Sequence, residues 1–281
     1  MSDFSIGCHS TEGLTVKRMK TIEIGEARVA YHVEGTGPGL VLIHGTGGNS
    51  ESNWGHLVER FAPYRTVVRP DYAGSGRTQD DGKPLDVAAL AAQVVAAAEA
   101  ADAVPFDVVG FSLGAAVAVV IAANFPSSVR SVVLLGGFAS SKDPRQKMQF
   151  ELWRDLIQFD RTLMARLVLL TGFSSDFLSG LEETLIAENV EAIVRDNNWE
   201  GMARQVELDL TIDVGDFARR ITQPALVIGC AHDHMVPAAH ARQLAKLVPN
   251  SRYVEMATGH LAALEQPEIF IRLVLDFLHG V

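Results

Sequence analysis

The residues of this chain best suited to chemistry are five consecutive ones, residues 110–114, which read Gly-Phe-Ser-Leu-Gly. They lie between a short apolar run, 106–109, and a run of small residues, 115–123. This pattern predicts a strand, a sharp turn and a helix. A serine in such a turn has a strained backbone that requires small neighbours, so a glycine stands on either side. The strain pushes the hydroxyl out of the turn, so Ser112 is predicted to be a nucleophile that a base can reach, with a plain strand-to-helix turn as the alternative.

Two further residues could complete the chemistry of a nucleophilic serine. A hydroxyl at neutral pH needs a base within hydrogen-bond reach, and His260 follows a predicted strand over 252–256. An acid that orients the imidazole and stabilises its cation is the usual third member, and Asp233 follows a predicted strand over 225–230. Parallel strands end at one edge of a sheet, where these side chains are expected to meet. The order serine, acid, histidine is also the one expected for this arrangement.

Other titratable residues are weaker candidates for the same roles. Asp71 is an alternative acid, although a turn or capping role is favoured, and Asp143 is a further fallback. A loop histidine on the surface is the alternative interpretation of the base. His232 and His234 flank the predicted acid, but alternate residues in a loop without a third ligand motif do not predict zinc. No metal site is expected, and His44 is expected to fix its loop by hydrogen bonds.

Attack on a carbonyl also needs donors for the oxyanion that forms. Leu113 follows the serine at the start of a predicted helix, where the helix dipole favours negative charge. The second donor is expected in the loop 44–48, His-Gly-Thr-Gly-Gly, which follows a buried strand predicted over 40–43. We predict the backbone amides of Thr46 and Leu113 as the oxyanion hole, with the Thr46 hydroxyl as an additional donor.

Length and charge limit the other classes of function. The chain has 281 residues, of which 48% are hydrophobic, so one domain with a large core and an insertion is expected. The formal net charge is −10, and the sequence contains no basic tract. Nucleic acid is therefore not expected as a partner.

Cysteine usage and hydropathy favour a soluble cytoplasmic protein. Cys8 lies in a polar stretch and Cys230 ends an apolar run, so a structural disulfide is not expected. The first twenty residues lack an apolar segment of signal-peptide length. Two stretches rich in Ala and Val, 87–101 and 113–123, are too short or interrupted to span a membrane.

The elements that must position these residues alternate along the first half of the chain. Short runs rich in β-branched residues alternate with helical ones, which predicts right-handed crossovers and a mostly parallel sheet covered on both faces. The predicted strands are 22–24, 28–34, 40–43, 65–69, 106–109, 131–135, 225–230 and 252–256. The predicted core helices are 54–61, 87–101, 115–124, 239–248 and 269–278.

The alternation stops between 138 and about 220, where no convincing strand occurs. Amphipathic stretches over 149–170 and 181–195 predict helices instead. The predicted organisation is thus a core over 1–137, a helical cap insertion over 138–222 and the remainder of the core over 223–281. Most aromatic and methionine side chains of the insertion are expected to form its own core, with a few facing a pocket.

Taken together, these motifs resemble those of α/β-hydrolase-fold serine hydrolases with a helical cap. The resemblance covers about residue 21 to the C-terminus. It rests on residues 44–48, residues 70–77 (Pro-Asp-Tyr-Ala-Gly-Ser-Gly-Arg), the turn at Ser112, the loop 233–237 and the pair 259–260. The segment at Asp71 lacks the arginine that is usual there, which we expect to matter little for catalysis. A serine at position 112 also argues against the haloalkane dehalogenases and epoxide hydrolases of the family, which have an aspartate.

The resemblance implies a small-molecule hydrolase that works through an acyl-serine intermediate on an ester, thioester or lactone. It implies neither a metal nor an organic cofactor, and the cap implies a covered pocket for a small or medium-sized substrate. Several alternatives share the same three residues: an acyltransferase or cyclase, a hydrolase of carbon–carbon bonds and a cofactor-free haloperoxidase. A triad-bearing ligand receptor and a scaffold protein are alternatives from other classes. The sequence also leaves a homodimer open.

Overall fold

The computed structural model describes residues 19–281, and its centre is one eight-stranded β-sheet. The strands, in chain order, are β1 (Lys20–Ile24), β2 (Ala27–Glu34), β3 (Gly39–Ile43), β4 (Thr66–Asp71), β5 (Phe106–Phe111), β6 (Val129–Leu135), β7 (Ala225–Cys230) and β8 (Ser251–Met256). Their spatial order is β1-β2-β4-β3-β5-β6-β7-β8. Strand β2 pairs antiparallel with β1 and β4, while all other pairs are parallel. The predicted fold class, a mostly parallel α/β sheet, is confirmed.

The strand order creates one position where the chain changes direction across the sheet. From β3 the chain moves to β4 on one side, and it then crosses back to β5 on the other side of β3. Loops that leave adjacent strands in opposite directions form a crevice at the carboxyl ends of those strands. The crevice therefore lies between the ends of β3 and β5, which is where the loop 44–48 and Ser112 begin.

Helices cover both faces of the sheet and bury the central strands on both sides. One apolar cluster packs against α3 (Val87–Ala100), α4 (Leu113–Asn124) and α11 (Ala238–Leu247). The other packs against α1 (Ser50–Trp54), α2 (Val58–Phe61), α12 (Ala262–Glu265) and α13 (Pro267–His279). Short 3₁₀ helices cover Gly55–Leu57 and Pro126–Ser128. Helix α4 is buried along nearly its whole length, which explains its small residues.

The segment between β6 and β7 is helical. It contains α5 (Pro144–Phe159), α6 (Arg161–Gly172), α7 (Ser175–Ser179), α8 (Glu183–Asp196), α9 (Trp199–Asp209) and α10 (Gly215–Ala218). We call these six helices the cap. Within residues 19–281, the only β-pairing of the segment between β6 and β7 is an isolated bridge between Ser140 and Asp213. The cap boundaries 138 and 222 remain a prediction.

Two details of the predicted helices differ in the structure. The stretch 149–170 forms two helices rather than one, because Asp160 adopts an extended conformation and its carboxylate accepts hydrogen bonds from the amides of Thr162 and Leu163. An aspartate in this role ends one helix and begins the next. The predicted helix over 54–61 is likewise divided into three short turns. Helix α9 was not among the predicted elements.

None of the helices within residues 19–281 is long and apolar enough to cross a membrane. Of the two cysteines, Cys230 is a buried free thiol at the end of β7, whereas Cys8 lies outside the described residues.

Candidate active site

Ser112 occupies the turn between β5 and α4 with a strained backbone. Its φ of 55° and ψ of −119° lie in a region that side chains rarely adopt. A Cβ on Gly110 would overlap the Gly114 carbonyl, and a Cβ on Gly114 would overlap the carbonyls of residues 43 and 44. Both glycines of the motif are therefore required by close backbone approach. The amide of Ser112 donates to the Leu135 carbonyl at 2.9 Å, so the turn remains attached to β6.

Strand register brings Ser112 close to the predicted base. The pairing of Phe111 with Leu135 places Ser112 beside Gly136 at the end of β6. A Cβ on Gly136 would lie only 3.1 Å from the Cε1 atom of His260, so the imidazole rests directly over this glycine. The His260 ring also packs against the Phe111 ring, with centroids 4.8 Å apart. Ser112 and His260 line the same cleft, with side chains that are largely buried.

The predicted acid holds the base through one short hydrogen bond. The Nδ1 atom of His260 lies 2.6 Å from Oδ2 of Asp233, and both residues are buried, at 3% and 6% exposure. The other oxygen of Asp233 accepts hydrogen bonds from the amides of Met235 and Val236, at 2.8 and 2.7 Å. The carboxylate is thus fixed by its own loop, and its free direction faces the imidazole. This arrangement leaves Nε2 of His260 as the atom available for proton transfer.

The two predicted oxyanion donors also lie at this edge. A Cβ on Gly45 would be 3.0 Å from the Ser112 Cβ, so the loop after β3 passes beside the serine. Among residues 19–281, the amides of Thr46 and Leu113 donate to no protein acceptor. Leu113 is the first residue of α4, whose first amides have no partner inside the helix. Both amides are therefore available to a bound oxygen atom.

The loop that carries Thr46 is held by side chains on both sides. Its neighbours Gly45 and Gly47 donate their amide hydrogens to Oδ1 of Asn53 and Oε1 of Gln205, at 2.9 and 2.8 Å. The Thr46 hydroxyl lies 2.6 Å from a carboxylate oxygen of Asp209. Asn53 belongs to α1, whereas Gln205 and Asp209 belong to α9. The loop is therefore fixed by the core and the cap together.

The remaining candidates from the sequence have other environments. The ring of His44 is hydrogen-bonded to Ser75 at 2.9 Å and stacked on Tyr72, and burial lowers its pKa. Asp71 accepts hydrogen bonds from the amides of residues 50 and 77, as expected of a turn residue. Asp143 caps α5 by accepting from the amide of residue 146. None of these three makes a hydrogen bond to His260 in the described part of the chain.

The histidines on either side of Asp233, His232 and His234, are exposed. Within residues 19–281 no group of three or more His, Cys, Asp or Glu side chains is arranged to hold a metal ion.

A cleft of about 1540 Å³ opens over Ser112 and His260. Its roof includes cap side chains from four helices, and it continues as a groove past α1 and the loop after β4. The apolar lining nearest the cap consists of Trp153, Val168, Ala192, Ile193, Met202, Met235 and Leu261. The expectation that a few aromatic and methionine side chains of the insertion face the pocket therefore applies to Trp153 and Met202. Phe159 is instead exposed, and Met164 is buried in the core.

A small apolar recess of about 10 Å³ lies beside this cleft. It is lined by Asn53, Trp54, Phe111, Leu261, Ala263 and Leu264. Phe111 and Leu261 are the chain neighbours of Ser112 and His260. The recess has room for one water molecule or one methyl group.

Asp209 and Gln205 are the site residues that the sequence does not reveal. Asp209 is buried at 1% exposure, and this burial raises the pKa of its carboxyl group to about 8, against a lowering by the Thr46 hydrogen bond. Neither residue stands in a recognisable motif. An acidic residue on the apolar face of a predicted helix would have indicated Asp209. That pattern is recognisable only once helix α9 has been identified.

A family model for the α/β-hydrolase fold matches residues 38–267. The chain belongs to the α/β-hydrolase fold family. It is an enzyme of the hydrolase class.

Relatives of this α/β hydrolase extend over almost its whole length. The pyrrolizixenacetamide deacetylase of Xenorhabdus hominickii is 58% identical over 260 residues, which cover 92% of this chain and 98% of the relative. The 2-hydroxy-6-oxo-2,4-heptadienoate hydrolase of Pseudomonas putida is 27% identical over 270 residues, covering 90% and 94%. The crystal structure of a hydrolase from Pseudomonas aeruginosa superimposes with a TM-score of 0.83 at 24% identity, covering 94% and 99%. This last similarity concerns the fold alone.

Proposed function

We propose that this α/β hydrolase cleaves an acyl bond of a small molecule through an acyl-serine intermediate. The observation that carries the proposal is the hydrogen bond of 2.6 Å between Asp233 and His260, with the imidazole resting beside the strained turn of Ser112. Two unpartnered backbone amides, those of Thr46 and Leu113, lie at the same edge of the sheet. A nucleophile, a base oriented by an acid, and oxyanion donors are the parts that acyl transfer requires.

In this proposal, the Ser112 hydroxyl attacks the substrate carbonyl while Nε2 of His260 accepts its proton. Asp233 keeps the proton of His260 on Nδ1 and stabilises the imidazolium that forms. The amides of Thr46 and Leu113 bind the oxyanion, and the imidazolium then donates its proton to the leaving group. A water molecule activated by His260 releases the acyl group from Ser112 in the same way.

The bond that we propose first is a short-chain amide, and the supporting evidence comes from two sources. The relative from Xenorhabdus hominickii, 58% identical, is named a deacetylase of an acetamide. The recess beside Phe111 and Leu261 has the size of one methyl group, and an acetyl group consists of a carbonyl and one methyl group. Esters, thioesters and lactones, the substrates predicted from sequence, have the same carbonyl chemistry with better leaving groups.

The charges along the cleft favour a neutral or cationic substrate over an anionic one. Six carboxylates line it, those of Glu51, Glu59, Asp71, Glu188, Glu191 and Asp196. Two guanidinium groups line it as well, and that of Arg195 is paired with Asp196 at 2.7 Å. A carboxylated substrate, such as the dienoate in the name of the Pseudomonas putida relative, would face this excess of negative charge.

The test is release of p-nitroaniline from its N-acetyl, N-butyryl and N-octanoyl amides, with the matching p-nitrophenyl esters measured in parallel. We expect the acetyl compounds to be cleaved fastest and all release to be lost in Ser112→Ala and His260→Ala. Ser131→Ala is the matched control, because Ser131 is a buried serine on β6 that bonds to Asp107 rather than to the site.

Three results would each contradict a part of the proposal. Hydrolysis that persists in Ser112→Ala would exclude the acyl-serine route. Cleavage of esters without any cleavage of amides would exclude the amide assignment while leaving the serine chemistry intact. A preference for octanoyl over acetyl compounds would exclude the recess as the acyl site.

A further inference from the structure

Helix α9 of the cap contacts the oxyanion loop through two polar side chains on one face. Gln205 and Asp209 are four residues apart, so they lie one above the other along the helix. The Gln205 amide group accepts a hydrogen bond from the Gly47 amide at 2.8 Å and donates one to the Gly74 carbonyl at 3.1 Å. Asp209 lies 2.6 Å from the Thr46 hydroxyl. Thr46 and the residue after it, Gly47, are thus held from the cap.

The environment of Asp209 is unusual for a carboxyl group. It is buried at 1% exposure, and no cationic side chain forms an ion pair with it within residues 19–281. Its second oxygen, Oδ1, has no hydrogen-bond partner in the described part of the chain. An ionised carboxylate with one buried, unsatisfied oxygen is costly, so the neutral acid is favoured. In agreement, burial raises the pKa of Asp209 to about 8.

The protonation state of Asp209 decides which way the short hydrogen bond runs. A neutral Asp209 can donate its own proton to Oγ1 of Thr46, which leaves the threonine hydrogen free to point elsewhere. An ionised Asp209 accepts only, so the Thr46 hydroxyl must donate to it. The Thr46 hydroxyl is therefore available to a developing oxyanion in the first state and occupied in the second.

We propose that Asp209, with Gln205, is a positioning residue for the oxyanion hole, which it controls by holding Thr46 from the cap. Asp209 keeps the Thr46 peptide beside Ser112. It also leaves the Thr46 hydroxyl free to donate to the oxyanion together with the Thr46 backbone amide. Ionisation of Asp209 captures that hydroxyl and places a negative charge near the oxyanion. This inference rests on the proposed function, because it needs a serine that attacks a carbonyl or an equivalent electrophile.

The other ionisable groups around Asp209 are few. Tyr72 is a buried phenol whose pKa is raised by burial and by the charge of Asp209, so it is neutral through the relevant range. His44 stacks on it and is kept neutral by burial.

Two ion pairs on α9 and the elements beside it do not involve Asp209. On α9 itself, Arg204 is paired with Asp80 at 2.8 Å. The exposed pair of Lys142 and Asp213 flanks the start of α5 and the end of the α9 turn.

The experiment measures the second-order rate constant for labelling of Ser112 by a fluorophosphonate, from pH 5.5 to 9.5. This reaction needs the serine, the base and the oxyanion donors but no knowledge of the substrate. The variants are Asp209→Asn, Asp209→Ala, Thr46→Val and the Asp209→Ala, Thr46→Val double variant. Asp160→Ala is the matched control, since it removes a helix cap from the same insertion without touching the loop. Melting temperatures are recorded for every variant.

We expect the wild-type rate to fall as the pH rises through about 8, and this decline to disappear in Asp209→Asn. Asp209→Asn should retain the neutral-pH rate to within about threefold, because its amide can still hold Thr46. Asp209→Ala and Thr46→Val should each lose about tenfold or more, and the double variant should lose no more than either, since both act through one donor. Asp160→Ala should keep the wild-type rate and pH profile at a lower melting temperature.

The inference is overturned if Asp209→Ala changes the melting temperature alone, if Asp209→Asn keeps the decline, or if the losses in the double variant add. A wild type that labels normally while all Asp209 variants match it sinks only this inference. A folded wild type that does not label at all sinks the proposed function together with it.

Discussion

Replacement of Asp233 by asparagine is the sharpest test of the candidate site. The Asp233 carboxylate uses one oxygen for the amides of Met235 and Val236 and the other for Nδ1 of His260, at 2.6 Å. Asparagine has nearly the same shape, so its carbonyl oxygen can keep the two amides. Its NH₂ group then faces His260. An NH₂ donor forces Nδ1 to accept, which moves the imidazole proton to Nε2.

A histidine protonated on Nε2 cannot take the proton of Ser112, because the accepting atom is already occupied. Removal of the oriented tautomer costs about 10⁴-fold in kcat in serine enzymes with this geometry. That factor corresponds to about 5.5 kcal/mol of transition-state stabilisation. We expect Asp233→Asn to lower kcat for any acyl substrate by a factor of this order, with KM little changed.

The matched control is Asp71→Asn, because Asp71 is the acid that the sequence offers as an alternative. Its carboxylate accepts from the amides of Ser50 and Arg77 and makes no bond to His260. We expect a lower melting temperature and a change in kcat of no more than about threefold. Steady-state kinetics on one p-nitrophenyl ester and one anilide, with melting curves, measure both variants. Equal losses in the two variants, or a larger loss in Asp71→Asn, would refute the assignment of the acid.

Three further predictions follow from other residues. Gly136→Ala should lower kcat by about tenfold and the free energy of unfolding by about 1–2 kcal/mol, because φ of Gly136 is +56° and the new Cβ would lie 3.1 Å from the His260 ring. Steady-state kinetics and denaturant unfolding measure the two effects, and an unchanged kcat would contradict the prediction. The raised pKa of Asp209 means that its contribution to stability is complete below pH 4 and is lost as the pH rises through about 8. The free energy of unfolding of the wild type, relative to that of Asp209→Asn, should therefore fall by up to about 1.4 kcal/mol per pH unit between pH 5 and 7. A difference between the two proteins that does not change with pH would exclude the raised pKa. Cys230 is buried and its thiol pKa is raised by that burial, so iodoacetamide should modify it in the unfolded protein only, as peptide mapping would show; rapid modification of the native protein would contradict its placement.

The fold was predictable because its strands are local patterns with little ambiguity. Runs such as Gly39–Ile43 and Ala225–Cys230 are short, apolar and β-branched, and they are buried on both faces in the sheet. The turn at Ser112 was predictable for the same reason. The backbone requires its two glycines because of contacts within or near five consecutive residues, so the motif is a local pattern. Asp233 and His260 followed from their position after strands, because strand ends of a parallel sheet converge.

The cap was less predictable because its helix boundaries depend on single polar residues. Asp160 ends one helix by capping the next, and an amphipathic pattern that continues across it gives no sign of the break. The contact between Thr46 and Asp209 spans 163 residues and joins a loop of the core to an undetected helix. Such a pair has no local signature, so only the three-dimensional packing reveals it.

The close approach of helix α9 to the core also restricts how this enzyme can diverge. Gly201 lies on the first turn of α9, and a Cβ at this position would overlap the carbonyl oxygen of Gly74. Any larger residue must lift the helix, and Gln205 and Asp209 would then leave the oxyanion loop. We therefore expect new substrate preferences to arise by substitution in α5, α6 and α8 or at Met202, while Gly201 of α9 is retained. A chimera that receives a foreign cap should work only if the donor also has glycine at this crossing.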